Sequence, residues 1–335
     1  MVCLAARVCV SFLVALGAAS SVAQEPPKWV LAIHGGAGRL PKDLPPAEIA
    51  AIEGAMQRAL EAGSKVLAAG GSSLDAVQSA VSVMEDSGVL NAGRGAVLNH
   101  SGFAELDAAL MDGSNRKAGA VAAVRHIAHP IDLARQVMDQ SRHVLLVGEG
   151  AEQFARERGV KLVPGSALVT ERRRKDLQRA IDAEKKLKLA QAARPGYPQG
   201  TVGAVALDTR GNLAAATSTG GLTNKHVGRV GDSPIIGAGT YAENGACAVS
   251  ATGVGEVFIR YTAAADVCAR VRYRNETVAI AAEEVIRDLK LAGGDGGMIA
   301  LDATGQVAIP YSSETMLHGQ VSSGQQAEVV VEIRQ

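Results

Sequence analysis

Apolar residues recur at helical spacing, or alternate as in strands, along most of the first half of the chain. Four segments have helical character: residues 47–69, 74–86, 130–140 and 151–158. Ser73 can cap the second of these helices, and Pro130 suits the first turn of the third. Four shorter apolar runs predict strands: residues 29–33, 104–111, 118–124 and 144–147.

The second half has a denser strand pattern. Five runs predict strands: residues 201–207, 213–217, 247–251, 298–301 and 307–310. Turn-rich segments 208–212 and 302–305 join two pairs of them into hairpins, while residues 257–272 and 276–289 have helical spacing. Because the strands cluster instead of alternating strictly with helices, the sequence predicts a layered α+β fold rather than a doubly wound parallel sheet.

Residues 164–199 interrupt this pattern. They are rich in proline and glycine, and residues 171–194 carry nine Lys/Arg against four Asp/Glu. The helical stretch within them is polar nearly all round, which is typical of an exposed, mobile linker. This segment is the one good break in the chain.

The first 23 residues have the pattern of a secretory signal peptide. Arg7 is followed by an apolar run over residues 8–16 and by the small residues Ser21, Val22 and Ala23. The alternative is an N-terminal membrane anchor, but the run is short for a span of roughly 20 residues. We therefore expect an exported protein, most simply in a bacterial periplasm, without a membrane association after the signal is removed.

Composition narrows the classes of partner. The formal net charge is zero and aromatic residues make up 3% of the chain, so a nucleic acid is not an expected partner. Cys247 and Cys268 could pair in an exported chain. We favour two free, buried thiols, because one lies in a strand-like run and the other in a helix-like run. No cysteine–histidine cluster has zinc spacing.

Four segments combine threonine or serine with glycine, and all follow the linker. They are residues 200–205, 216–221, 228–234 and 250–256. Glycine weakens strands, so glycine beside hydroxyl groups suggests that backbone approaches a ligand closely. The alternative is a set of Gly/Thr-rich turns in an ordinary sheet, which four successive segments disfavour. The glycine run 34–38 lacks the features of a P-loop, and no G-x-S-x-G elbow is present.

These segments resemble the plant-type asparaginase/isoaspartyl aminopeptidase family of N-terminal-nucleophile hydrolases. The resemblance runs from about Trp29 to Gly319 and includes residues 34–38, 91–95, 105–113 and 293–297 besides the four segments. It implies a four-layer αββα sandwich of the N-terminal-nucleophile type. Residues 24–200 would form an α subunit and 201–335 a β subunit of one domain, assembled as an (αβ)2 heterotetramer.

The resemblance also implies that the chain cuts itself between Gly200 and Thr201. Glycine before the scissile bond permits strained backbone angles. The freed α-amine of Thr201, with a reference pKa of about 7.7–8.0, would then act as general base toward its own hydroxyl. One residue would supply both nucleophile and base, so no catalytic cofactor is expected.

Further roles follow from the same resemblance. Thr219 would tune the nucleophile, Thr252 and the N–H of Gly253 would form the oxyanion hole, and Asn91 would lie near the nucleophile. Arg229 would bind the substrate α-carboxylate and Asp232 its α-ammonium, a grip that suits L-asparagine and β-aspartyl dipeptides. The neighbouring substrate-binding residues would be Val230, Gly231, Val254 and Gly255. An ordinary surface ion pair is the alternative for Arg229 and Asp232.

The loop that precedes Gly95 resembles the family's sodium-binding loop. A structural sodium ion would be held by main-chain carbonyls, which side-chain identity constrains poorly. The implied ligands are Met84, Glu85, Ser87, Leu90, Ala92 and Arg94.

Two other functions remain open at this point. Glycosylasparaginases and threonine aspartases share the nucleophile chemistry but usually have Asp before the nucleophile, where this chain has Gly200. A non-catalytic exported protein could use Arg229 and Asp232 to hold amino acids. Such a protein would need neither Thr201 nor the linker.

Overall fold

The computed structural model describes residues 28–40, 44–190 and 200–331. The predicted signal peptide and residues 191–199 of the predicted linker lie outside these ranges. The elements before Gly200 are β1 (Val30–Gly38), α1 (Pro46–Ala68), α2 (Ser73–Asp86), β2 (Leu106–Asp112), β3 (Ala118–Val124), α3 (Pro130–Gln140), β4 (Leu145–Val147), α4 (Gly148–Glu157) and α5 (Glu171–Ala190). After it come β5 (Val202–Leu207), β6 (Leu213–Thr219), β7 (Thr240–Ala242), β8 (Cys247–Gly253), α6 (Gly255–Tyr261), α7 (Ala263–Arg274), α8 (Val278–Leu291), β9 (Gly296–Asp302), β10 (Val307–Ala308), β11 (Thr315–Ser322) and β12 (Glu328–Val330).

The strands form two sheets. The larger has the order β12-β11-β1-β5-β6-β2-β3-β4, and the smaller has the order β10-β9-β8-β7. Neighbouring strands are antiparallel except for β3 and β4, which are parallel. The mixture of helices and mainly antiparallel sheets confirms the α+β class at this level.

Alternation along the strands decides what each face contacts. In β1, Leu31 and Ile33 belong to an apolar cluster with α1 and α2, whereas Val30 and Ala32 belong to a cluster with strand β9 of the smaller sheet. The smaller sheet in turn shares a cluster with α7 and α8. Many of the facing residues are alanine, which lets backbone layers approach closely.

Three local expectations were wrong in detail. Strand β1, expected over residues 29–33, continues through the glycine run 34–38, because β11 pairs with it as far as Gly38, whereas β5 pairs with it only as far as His34. Ser72, not Ser73, caps α2 by accepting a hydrogen bond from the Asp75 N–H at 3.1 Å. The helix expected over 257–272 breaks into α6 and α7 at Thr262, which adopts a left-handed φ of 46°.

The predicted linker is more closely packed than expected where the structure describes it. Residues 171–190 form α5, and Leu168, Leu177 and Ala180 are buried. The buried Leu177 and Ala180, together with the partly buried Ile181, seat a helix whose other positions are mostly polar. Helix α5 therefore covers part of the body of the protein.

The expectation of two free thiols was wrong, because Cys247 and Cys268 form a disulfide. Strand β8 and helix α7 pack against each other and bring the two Cα atoms within 5.2 Å, a separation that a disulfide spans easily. None of the helices in the described ranges has both the length and the apolarity that a membrane crossing requires.

Candidate active site

Thr201 lies immediately before β5, with 7% of its surface exposed. Its hydroxyl donates a hydrogen bond to Thr219 Oγ1 at 3.1 Å. Beside it, a Cβ on Gly36 would come within 2.6 Å of Gly200 Cα and 2.9 Å of Thr201 N. The end of β1 must therefore be glycine for the Gly200–Thr201 backbone to lie where it does.

Two side chains donate to the carbonyl oxygen of Gly200. They are the Asn91 amide and the Thr219 hydroxyl, the latter at 3.3 Å. Thr219 Oγ1 also accepts from the Gly221 N–H at 2.9 Å. Since Thr219 has one proton and gives it to Gly200, the Thr201 proton points to Thr219, which leaves Thr201 lone pairs free for attack.

Asn91 is held firmly in this position. Its Oδ1 accepts from the Val97 N–H at 2.9 Å, and its Nδ2 also donates to the Gly221 carbonyl at 2.9 Å. These bonds fix the orientation of the amide, so that its N–H groups rather than its oxygen face Gly200. Asn91 therefore lies beside Gly200 and Thr201, in the region where the sequence analysis expected it.

Thr252 and Gly253 end strand β8. The Thr252 hydroxyl accepts a hydrogen bond from the Ala37 N–H at 3.1 Å, next to the Gly36 that adjoins Thr201. A Cβ on Gly253 would come within 2.4 Å of the Asp295 carbonyl oxygen, so only glycine fits there. The smaller sheet thus brings Thr252 to the same end of β1 as the nucleophile.

Arg229 and Asp232 come together around glycines. A Cβ on Gly255 would lie 2.8 Å from Asp232 Oδ1 and 2.9 Å from Arg229 Nη2, and one on Gly231 would lie 2.8 Å from Arg229 Nη1. Arg229 makes a two-pronged ion pair with Glu256, with both N–O distances at 3.0 Å. Sequence analysis did not foresee Glu256 as its partner.

Asp232 is the least satisfied charged group in this region. It is buried, and its Oδ2 accepts no hydrogen bond from any residue that the structure describes. Burial raises the pKa of Asp232 to about 7, despite the opposing field of Arg229. A buried carboxylate lacking a donor is costly, so this position favours a cationic ligand.

A second buried charged group lies beneath Arg229 and was also missed by the sequence analysis. Lys225 donates to the Glu105 carbonyl at 3.0 Å, and burial lowers its pKa. Asp107 is buried near it, and burial raises the pKa of Asp107. The sequence offered only its position as a signal, because Lys225 stands four residues before Arg229, between two of the identified segments.

The loop expected to hold sodium is tightly closed. The Arg94 N–H donates to the Glu85 carbonyl at 2.8 Å, and a Cβ on Gly93 would come within 2.6 Å of that same oxygen. Similarly, a Cβ on Gly95 would come within 2.6 Å of the Gly88 carbonyl oxygen. The Glu85 carbonyl, one of the implied sodium ligands, thus already accepts a main-chain hydrogen bond across the loop, and its oxygen has a second lone pair.

A cavity of about 310 Å³ borders the scissile peptide. Gly200, Asn91 and the end of β1 line one side, and Arg172, Arg173 and other residues of α5 line the other. The space is large enough for several water molecules. Gly200 therefore borders a space beneath α5 that water can occupy.

The sequence matches the asparaginase family over residues 27–331. The chain belongs to the asparaginase family. It is accordingly an enzyme of the hydrolase class. The match extends through β11 and β12, so the C-terminal strands at the edge of the larger sheet belong to the family's matched region.

Relatives of this asparaginase-family chain include two bacterial proteins named isoaspartyl peptidase. One from Salmonella typhimurium is 49% identical over 86% of this chain and 94% of its own length, and one from Escherichia coli is 48% identical over 86% and 91%. A human protein named isoaspartyl peptidase/L-asparaginase is 45% identical over 86% of this chain and 91% of its own.

Proposed function

We propose that the chain cleaves itself before Thr201 and then hydrolyses β-aspartyl dipeptides and L-asparagine, releasing L-aspartate. The observation that carries this proposal is the arrangement at the scissile bond. Thr201 donates its proton to Thr219, while Asn91 and Thr219 both donate to the Gly200 carbonyl. Family membership and the names of the relatives support the same activity.

In the cleavage step, Thr201 Oγ1 attacks the carbonyl carbon of Gly200. Negative charge develops on the Gly200 oxygen, where the donors of Asn91 and Thr219 are already in place. The C–N bond breaks as the Thr201 nitrogen takes up the proton that Oγ1 loses, which gives an ester and a free amine. Water then hydrolyses the ester to leave a Gly200 carboxylate and a free Thr201 α-amine.

In the substrate reaction, the neutral α-amine takes the proton of its own hydroxyl, and Oγ1 attacks the side-chain carbonyl of the substrate. Thr252 and the Gly253 N–H would hold the oxyanion. Ammonia or the amine of the second residue leaves with a proton, and a β-aspartyl ester on Thr201 remains. Water cleaves that ester and releases aspartate, so atoms and charge balance over the cycle.

Substrate choice would rest on the charges around Gly231 and Gly255. The α-ammonium would meet Asp232 Oδ2, the oxygen that lacks a donor, and the α-carboxylate would meet Arg229. Val230 and Val254 flank this place on the two segments that build it. Because both charged ends are gripped, the side-chain carbonyl is the group presented to Thr201.

The wider architecture follows the same proposal. We place the chain in the four-layer αββα sandwich of N-terminal-nucleophile hydrolases, with residues 24–200 and 201–335 as subunits of one domain in an (αβ)2 heterotetramer. The sodium ion would be structural, held by carbonyls of the closed loop over 84–94. Export to the periplasm would depend on residues 1–23.

Glycosylasparaginase activity is the nearest alternative, and Gly200 in place of Asp argues against it. An amino-acid-binding protein would use Arg229 and Asp232 but would not need Asn91 and Thr219 aimed at a peptide carbonyl. Intact-mass measurement of wild type beside Thr201→Ala, with Thr201→Ser as the conservative control, separates a self-cleaving enzyme from a binding protein, and the substrate assays separate the two enzyme activities.

We expect wild type to give two fragments that meet at Gly200–Thr201, Thr201→Ser to cleave more slowly, and Thr201→Ala to stay whole. The cleaved protein should hydrolyse β-Asp-Leu and asparagine, and Thr201→Ala should lose at least about 10³-fold of that activity. A whole, inactive wild type that still binds aspartate would establish the binding-protein alternative instead.

A further inference from the structure

A chain of buried polar side chains runs between the two sheets behind Thr201. His34 Nδ1 lies 3.0 Å from the Thr201 carbonyl oxygen, and His34 Nε2 lies 2.9 Å from Ser250 Oγ. Ser250 Oγ lies 2.7 Å from Thr217 Oγ1, which lies 2.6 Å from Thr240 Oγ1. His34, Ser250, Thr217 and Thr240 are fully buried.

This row of hydrogen-bonded side chains begins at His34, where the main-chain pairing of β1 with β5 ends. The pairing of β1 with β5 stops at His34 opposite Gly203, and β1 has an irregularity just beyond it. Thr201 lies two residues before Gly203, just outside β5. Its carbonyl is bonded by the His34 imidazole instead of by a main-chain N–H of β1. The side chain of His34 thus attaches Thr201 to β1 beyond the point where the sheet's main-chain hydrogen bonds stop.

Gly203 makes room for this arrangement. A Cβ there would lie 1.9 Å from Ser250 Oγ and 2.4 Å from His34 Nε2. Both contacts are far shorter than any real Cβ contact, so the close approach of imidazole and hydroxyl requires glycine at this position. The second glycine of the Gly200–Val205 segment therefore serves the hydrogen-bonded chain rather than the substrate.

Elementary chemistry fixes the direction of the protons. A carbonyl oxygen only accepts, so His34 Nδ1 must carry the proton. Burial lowers the pKa of His34 to about 3, so the ring is neutral and Nε2 is an acceptor. Ser250 must then donate to Nε2, and its oxygen accepts the proton of Thr217.

We propose that His34 is a positioning residue for the nucleophile, held as the neutral Nδ1–H tautomer by Ser250 and Thr217. This inference rests on the proposed function, because the tether matters most after Thr201 becomes a chain end. Chain ends fray unless they are tied down. The imidazole holds the main chain of Thr201 while its hydroxyl and amine carry out the reaction.

Thr240, at the other end of this row of side chains, lies close to the substrate-binding segment. Thr240 Oγ1 lies 3.0 Å from the carbonyl oxygen of Ser233, the residue after Asp232. The same buried chain therefore contacts the nucleophile segment at one end and the substrate-binding segment at the other. Thr240 has one hydroxyl proton for both Thr217 and the Ser233 carbonyl, so its link to the substrate-binding segment is one arm of a shared hydrogen bond.

The tautomer can be read directly. Protein labelled with ¹⁵N-histidine would be studied by long-range ¹H–¹⁵N correlation, and the His34 signals assigned by their loss in His34→Asn. We expect a protonated Nδ1 and an unprotonated Nε2 that do not change between pH about 5 and 8, where an ordinary histidine titrates. An Nε2-protonated or cationic ring would overturn the proposal.

A matched pair of variants tests the positioning role. Asn places its amide N–H near the position of Nδ1, whereas Gln places its amide near Nε2. Per cleaved chain, His34→Gln should lose kcat on the order of 10²-fold with KM within about threefold, because the Thr201 tether is lost. His34→Asn should keep kcat within about tenfold of wild type.

The fraction of cleaved chain, measured by intact mass, normalises each kcat. A wild-type kcat in His34→Gln, or a change confined to KM, would contradict the positioning role. The tautomer is read on the wild-type chain, and if His34→Asn fails to fold, single variants of the six other histidines assign the His34 signals by elimination. A wild type that neither cleaves nor hydrolyses would refute the proposed function, while the tautomer would remain a separate test of the hydrogen-bonded chain.

Discussion

Two clusters of polar side chains meet at this site, and they differ in how completely their hydrogen bonds are made. Around the scissile bond, Thr201, Thr219 and Asn91 are neutral and bonded to one another or to backbone. Around the substrate ends, Arg229 is paired with Glu256 and buried Asp232 has an oxygen without a donor. The first cluster is ready to react, whereas the second is incomplete without a ligand.

The difference between the two clusters follows from what each one binds. A neutral cluster can be fully satisfied in the empty protein because its reaction partner, the Gly200 carbonyl, belongs to the same chain. A cluster that recognises a zwitterion must leave charge exposed to the ligand, and buried charge without a partner reduces stability. The substrate end should therefore dominate affinity and pH dependence, and the scissile end should dominate cleavage.

The largest expected effect comes from Asp232→Asn. It removes the partner of the α-ammonium, so kcat/KM for β-Asp-Leu should fall by about 10² to 10³-fold while self-cleavage stays near the wild-type rate. Steady-state kinetics beside a cleavage time course would show this split. Equal loss of both activities would mean that the two clusters are not separate.

The same variant should be more stable in alkali. The folded pKa of Asp232 is raised to about 7, above its ordinary value of 3.8, so its stabilising contribution is complete below the ordinary value and is lost as pH rises through about 7. The neutral amide avoids that loss. At pH about 8.5 the Tm of Asp232→Asn should exceed that of wild type by roughly 3 °C, and the gap should close toward pH about 4.

Next in size is Asn91→Ala, which removes one of two donors to the Gly200 carbonyl. Self-cleavage should slow by about 10²-fold or more, as for other lost oxyanion donors. Thr219→Ser keeps its donor and serves as the matched control, with cleavage close to wild type. Gel or mass measurement of precursor decay gives the rates, and an unaffected Asn91→Ala would exclude this carbonyl contact from the mechanism.

A smaller effect concerns the acid limb of kcat/KM. Both the Thr201 amine and Asp232 must lose a proton, so below pH about 7 the wild-type plot should steepen toward two protons. In Asp232→Asn the plot should keep a slope of one. A pH profile with one-proton slopes in both proteins would argue against an ionised Asp232 in the free enzyme.

The smallest effect should come from Glu256→Gln. Glu256 occupies the Arg229 fork and its charge also raises the pKa of Asp232. Removing that charge should lower KM by roughly three- to tenfold and move the acid limb to lower pH. Glu256→Asp keeps the charge and controls for side-chain length; a raised KM in Glu256→Gln would show that Glu256 aids binding instead of competing.

Sequence reasoning reached the class of fold and the segments of the site because both depend on local pattern. It placed α1, α3 and β3 within a residue or two. It ended β1 too early, since glycine disfavours strands and only the pairing with β11, which reaches Gly38, holds the run extended. The disulfide also depends on how β8 packs against α7, which no local pattern reveals.

The site, like the fold, was predictable only where local sequence pattern decides the structure. Thr201, Thr219 and Arg229 stand in recognisable segments, so their roles could be stated from the resemblance. Their partners His34 and Glu256 could not, because each contact joins residues distant in the chain or depends on which side chain turns inward. Packing between sheets, rather than any motif, decides those contacts.

The strand order of the larger sheet bears on what becomes of the protein after the proposed cleavage. Strand β1 comes from the N-terminal fragment, yet its neighbours on both sides, β11 and β5, come from the C-terminal fragment. The only disulfide in the described ranges lies wholly within the C-terminal fragment. The two products are thus interleaved within one sheet. Separating them would require breaking the main-chain hydrogen bonds on both sides of β1, so the proposed cleavage would leave the fragments associated.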